Sequence, residues 1–176
     1  MKKILVTGAR GGIANSLIER LKNKEFLIYI TVHTKKELIR VEEKYKNYKN
    51  IKCFKLDITL ENDRKILENL DIDILINIAG IGYGGSISEI PMDLVRENFE
   101  TNVFASFEIV QIIINKMIQK NSGKIIIMSS LIGLMPLKFL GVYSATKASI
   151  IHLTTTLKEE LKLLDTNIKV VLIEPG

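Results

Sequence analysis

Six short runs of β-branched and apolar residues alternate along this chain with longer segments of helical period, and nothing else in it restricts the fold as much. The runs are Lys3–Val6, Leu27–Thr31, Ile51–Leu56, Ile74–Asn77, Lys124–Ser129 and Lys169–Ile173. Helices are expected over Gly12–Lys22, Lys35–Tyr45, Glu61–Asn69, Met92–Gln119 and Tyr143–Leu163. Strand and helix in this rhythm imply a parallel sheet covered by helices on both faces. Ile74-Leu75-Ile76 and Ile125-Ile126-Ile127 are apolar at every position, as central strands buried on both faces are. The expectation is an α/β fold with a doubly wound parallel sheet in three layers, α/β/α.

At 176 residues the chain suits one domain, residues 1–176, with a substantial core. Hydrophobic residues make up 47% and charged residues 26%, which excludes disordered, collagenous and disulfide-scaffold classes. The apolar run after Lys2-Lys3 stops at Thr7-Gly8, too early for a signal peptide, and no stretch is long enough to span a membrane, so a cytoplasmic location is expected. Cys53 is the lone cysteine and reads as a core filler. The net charge of +5 comes from scattered lysines with one loose cluster between Lys44 and Lys52, which reads as a solvated helix face. Nucleic acid and membrane are not expected partners.

The segment Thr7-Gly8-Ala9-Arg10-Gly11-Gly12-Ile13-Ala14 follows the first strand and opens the first helix. That is the setting a dinucleotide-binding loop requires. Glycine tolerates positive φ and lets the main chain approach a pyrophosphate, whose charge is attracted by the free N–H groups at the helix start. Gly8 is expected to make the tight turn and Gly12 the close approach, with Arg10 and Ile13 beside them; Ala14 fills the slot where a third glycine often packs helix on strand.

Read as TGxxxGxG, this loop resembles that of the classical members of the short-chain dehydrogenase/reductase family, whereas the extended, epimerase-like branch uses TGxxGxxG. Further marks follow in order: Asp57 in Leu56-Asp57-Ile58-Thr59, then Asn77-Ile78-Ala79-Gly80, Asn102, Ser130, Tyr143, Lys147 and Pro175-Gly176. Ile78 departs from the usual Asn-Asn-Ala-Gly. The resemblance implies a Rossmann domain that binds a nicotinamide dinucleotide, with Asp57 and Ile58 at the adenine, Asn77, Ala79 and Gly80 lining the ribose floor, and Pro175 and Gly176 closing the cofactor site. It also implies a threonine-bearing loop, a substrate-covering helix and a seventh strand beyond Gly176, so the domain is expected to be incomplete at its C-terminus.

The pattern Tyr-x-x-x-Lys occurs three times, as Tyr45 with Lys49, Tyr48 with Lys52, and Tyr143 with Lys147. Only the third follows a strand ending in Ser129-Ser130 and has the small neighbours Ser144, Ala145 and Ala148 that admit a cofactor; the other two read as surface pairs. Residues four apart share a helix face, so the ammonium of Lys147 should lie beside the phenol of Tyr143. A free phenol has a pKa of roughly 10. A neighbouring cation, together with the positive nicotinamide of the oxidised cofactor, should bring its proton transfer closer to neutral pH, making Tyr143 the acid in reduction and the base in oxidation. Ser130, which starts Ser-x-x-Gly, should hold the substrate oxygen. By resemblance, Asn102 holds a water that links Lys147 to solvent.

Cofactor preference is usually set at the end of the second strand, by an acid that bonds the ribose 2′-hydroxyl. Thr31-Val32-His33-Thr34-Lys35-Lys36 contains no acid, and Arg10 and Lys35 supply positive charge, so NADP is expected over NAD, with His33 also at the pocket. No cluster has metal-ligand spacing, and no metal is expected. The expected function is hydride transfer between the nicotinamide and a carbonyl or secondary alcohol substrate, a small molecule contacted from residues 81–90 and 134–141. The alternative is an inactive or cofactor-sensing binding module. The resemblance further implies a homo-oligomer paired through helices carrying Ile109, Ile112, Ile113 and His152.

Overall fold

In the computed structural model, which describes residues 1–176, each apolar run becomes a parallel strand: β1 Lys2–Val6, β2 Phe26–Val32, β3 Ile51–Lys55, β4 Ile74–Asn77, β5 Gly123–Met128 and β6 Ile168–Ile173. They form one sheet in the order β3-β2-β1-β4-β5-β6. The direction of winding reverses between β1 and β4, where Leu5 lies opposite Leu75. A crevice opens at such a reversal beyond the carboxyl ends of the strands, and it is where ligands of doubly wound sheets bind.

Strand side chains alternate between the two faces, and the core divides accordingly. Leu5, Leu75, Ile125 and Ile127 pack with Ile109, Ile113 and Met117 of α5 (Ser106–Gln119) and Ile150 and Leu161 of α6 (Gly141–Leu163). Ile4, Val6, Ile28, Ile30 and Ile76 turn the other way, onto Ala14 and Ile18 of α1 (Gly12–Leu21) and Tyr45 of α2 (Lys35–Tyr45). The half-buried Cys53 packs against this second cluster from the edge strand.

Some expectations change. Helix 61–69 is a single α turn, α3 (Glu61–Arg64), followed by a 3₁₀ segment, Lys65–Asn69. Its residues are drawn back to the preceding turn: Asp63 accepts from the Asp57 N–H and Arg64 Nη1 donates to the Ile58 carbonyl at 2.6 Å. Helix 92–119 is split into α4 (Met92–Phe99) and α5 by a π-helical stretch, Glu100–Ala105, which contains Asn102. Tyr45 is buried, not a surface residue, because its ring fills the space between α2 and α1 while its hydroxyl reaches Glu19 at 2.9 Å. Ile109 and Ile113 lie in the core beneath α5 and are therefore withdrawn from the expected subunit interface. No helix is long and apolar enough to cross a membrane.

Candidate active site

Thr7 joins the loops after β1 and β4. Its hydroxyl donates to Asn77 Oδ1 at 2.9 Å and accepts the N–H groups of Ile78 and Ala79, each at 3.0 Å. Gly8 follows with φ +68°, and a Cβ there would lie 2.8 Å from Ala79 Cα, so both the turn and the contact require glycine. Gly12 differs: a Cβ at this position would meet nothing within 4 Å. The protein itself gives no steric reason for that glycine, whereas a pyrophosphate settling on the first turn of α1 does. No side chain caps that turn, because its N-cap is Gly11. Ile13 is half exposed beside it and Ala14 is buried beneath. The loop fits a dinucleotide phosphate.

Further along the crevice, burial pushes the Asp57 carboxyl up, but hydrogen bonds from Thr59 and from His33 Nε2, at 2.9 Å, hold its pKa below the usual carboxylate range. Ile58 is buried, its carbonyl held by Arg64, which also pairs with Glu108 of α5. Lys35 is exposed at the first position of α2. The expected pocket without an acid gains one from Glu37, whose carboxylate the helix brings back to Arg10 Nη1 at 2.7 Å. The sequence did carry a signal for this, since Thr34-Lys35-Lys36-Glu37 has the spacing of a capping box.

The third group stands at the start of α6. Lys147 is 5% exposed, its Nζ lies 5.5 Å from the centroid of the Tyr143 ring, and it donates to the Met128 carbonyl at 3.2 Å. Burial pulls the amine down to about 8 and pushes the Tyr143 phenol up. In the protein alone desolvation sets the direction for the phenol. Glycines make the room around this pair. A Cβ on Gly82 would lie 3.3 Å from Tyr143 Cδ2, and one on Gly80 would lie 3.0 Å from Asn102 Oδ1 and 3.7 Å from Lys147 Nζ.

Ser130 stands at the tip of β5 and its hydroxyl donates to the Pro175 carbonyl at 3.3 Å, so the turn at Pro175-Gly176 is tied to it. Ser129 is buried and donates to the Lys147 carbonyl. Between the two serines, only Ser130 is open to a ligand. The Asn102 amide makes three hydrogen bonds: Nδ2 donates to Ile81 O and Thr146 Oγ1, and Oδ1 accepts the Ile81 N–H. Asn77 is likewise occupied by Thr7 and by Ser106. Both asparagines brace loops instead of presenting free amides. A model of the short chain dehydrogenase family matches residues 2–176.

The chain belongs to the short-chain dehydrogenase family.

An NADPH-dependent 3-dehydrocapnine reductase of Ornithobacterium rhinotracheale is 31% identical to this chain over 186 residues, covering all of the chain and 65% of the relative. Among solved structures, serine dehydrogenase of Escherichia coli superposes with a TM-score of 0.91 at 25% identity, covering 99% of this chain and 82% of that one. A closed form of serine dehydrogenase complexed with NADP+ gives the same TM-score and identity over 71% of its length. The chain thus spans just under two thirds of the length of the reductase it matches. Its crevice is bordered by two loops joined where the Gly85 N–H meets the Phe139 carbonyl at 2.7 Å. Ile87, Leu134, Met135, Leu137 and Phe139 are exposed there.

Proposed function

We propose that this chain binds NADP(H) and reduces a carbonyl group on a small apolar molecule, with Tyr143 as the proton donor. The observation that carries the reading is the buried Lys147 ammonium over the Tyr143 ring, beside Gly80 and at the end of the crevice that Gly12 leaves open. When bound, the nicotinamide supplies the hydride.

The chain's own groups do the rest. At neutral pH the raised pKa keeps the Tyr143 phenol protonated, and Lys147, at about 8, keeps most of its charge. Tyr143 gives its proton to the carbonyl oxygen, and the adjacent ammonium compensates the phenolate left behind. Ser130 turns its hydroxyl from Pro175 to the same oxygen and fixes its position. Asn102 acts by holding Ile81, and with it Gly80, against Lys147. Arg10 favours the 2′-phosphate of NADP, in keeping with the NADPH dependence of the similar 3-dehydrocapnine reductase. The exposed apolar side chains at the crevice mouth suit a hydrophobic substrate.

The test is an assay of NADPH absorbance against a panel of ketones and 3-oxo esters, paired with NADPH titration. Consumption that depends on the carbonyl compound supports the reductase. Tight binding without consumption would instead make the chain a cofactor-sensing module.

A further inference from the structure

The glycine loop and the N-terminus of α2 meet at the rim of the crevice, where the ribose of the adenosine half of a dinucleotide falls. There the Arg10 side chain is 79% exposed and makes one bond, from Nη1 to Glu37 Oε1 at 2.7 Å. Glu37 is 12% exposed and fixed from behind. Its Oε2 accepts the Thr34 N–H and its own N–H donates to Thr34 Oγ1, both at 3.2 Å. The carboxylate is pinned by the helix cap, and the guanidinium leans on it with its remaining N–H donors free.

We propose that Glu37 is the residue that sets cofactor discrimination at this rim, by competing with the 2′-phosphate for Arg10. This rests on the dinucleotide reading above. With Glu37 ionised, the pair carries no net charge, so a 2′-phosphate meets a half-satisfied guanidinium with a carboxylate behind it. A 2′-hydroxyl meets an acceptor to which it can donate. The site therefore takes both NADP(H) and NAD(H), with NADP(H) the tighter by a small ratio. His33, paired with Asp57 at 2.9 Å, repeats the arrangement of a nitrogen donor backed by an acid.

Glu37→Gln separates charge from structure, because glutamine at the third helical position still closes a capping box and still accepts from Arg10. Equilibrium titration, followed by the fluorescence of NADPH and NADH, is made on the whole chain, on Glu37→Gln and on Arg10→Ala. The expected result is that Glu37→Gln tightens NADPH by about tenfold and leaves NADH unchanged or weaker, while Arg10→Ala loses about tenfold for NADPH and less for NADH. If the unaltered chain binds both cofactors and Glu37→Gln leaves their ratio unchanged, the proposal is overturned and the dinucleotide reading survives. If the unaltered chain binds neither, both fall together.

Discussion

The ammonium of Lys147 and the ring of Tyr143 lie 5.5 Å apart at the start of α6, the amine buried and the phenol half-buried. Burial moves their pKa values past each other, the amine down to about 8 and the phenol up from its ordinary value. The pair therefore loses its cationic member first as pH rises.

That order gives a pH profile. Below pH 8 the amine is charged and the phenol protonated, and both are in the state that reduction needs. Above it the amine loses its charge while the phenol keeps its proton. The rate constant kcat/KM for NADPH-dependent reduction should hold level and then fall, with an apparent pKa of about 8. A profile measured from roughly pH 6 to pH 10 that stays flat throughout would show that Lys147 is not the titrating group.

Gly8 and Gly12 should respond in opposite ways to alanine. At Gly8 the new methyl meets the Ala79 backbone at 2.8 Å and the backbone has φ +68°, so urea unfolding should show a loss of about 1–3 kcal/mol. At Gly12 the methyl meets nothing, so stability should stay within about 0.5 kcal/mol. Its effect should appear instead as NADPH affinity weakened by about tenfold or more, because the methyl stands where the pyrophosphate approaches. Equal behaviour of the two variants in both assays would contradict the roles given to them.

Asn102 braces the loop after β4 through three hydrogen bonds, two to Ile81 and one to Thr146. Asn102→Ala leaves buried partners unpaired and should cost about 2 kcal/mol or more in urea unfolding. Since Gly80 and Lys147 lose their spacing with it, kcat should fall together with stability. A variant as stable as the parent would mean that the π-helical stretch holds its shape without the amide.

The layers, the doubly wound parallel sheet and the glycine loop were legible because each rests on a local rule. Short runs of β-branched and apolar residues placed every strand to within two residues, and the position of Gly8 after β1 marked the crevice. What the sequence hid depends on side chains meeting across the fold. Glu37 lies one residue beyond Thr31–Lys36; the capping-box spacing marks its return to Thr34, but its bond to Arg10 needs the glycine loop to stand beside α2. The π-helical stretch at Asn102 has no sequence period of its own, and its amide bonds to Ile81 and Thr146, which no local pattern announces. Tyr45 looked like a surface partner of Lys49 because spacing cannot say that α1 covers it.

The central claim is that Tyr143 delivers the proton in an NADPH-dependent reduction. It is tested most directly by comparing NADPH consumption by the unaltered chain and by Tyr143→Phe on one accepted carbonyl substrate, at saturating NADPH. The expected result is a fall in kcat of about 10²–10⁴-fold with NADPH affinity unchanged. A Tyr143→Phe variant that turns over at the parent's rate would contradict it.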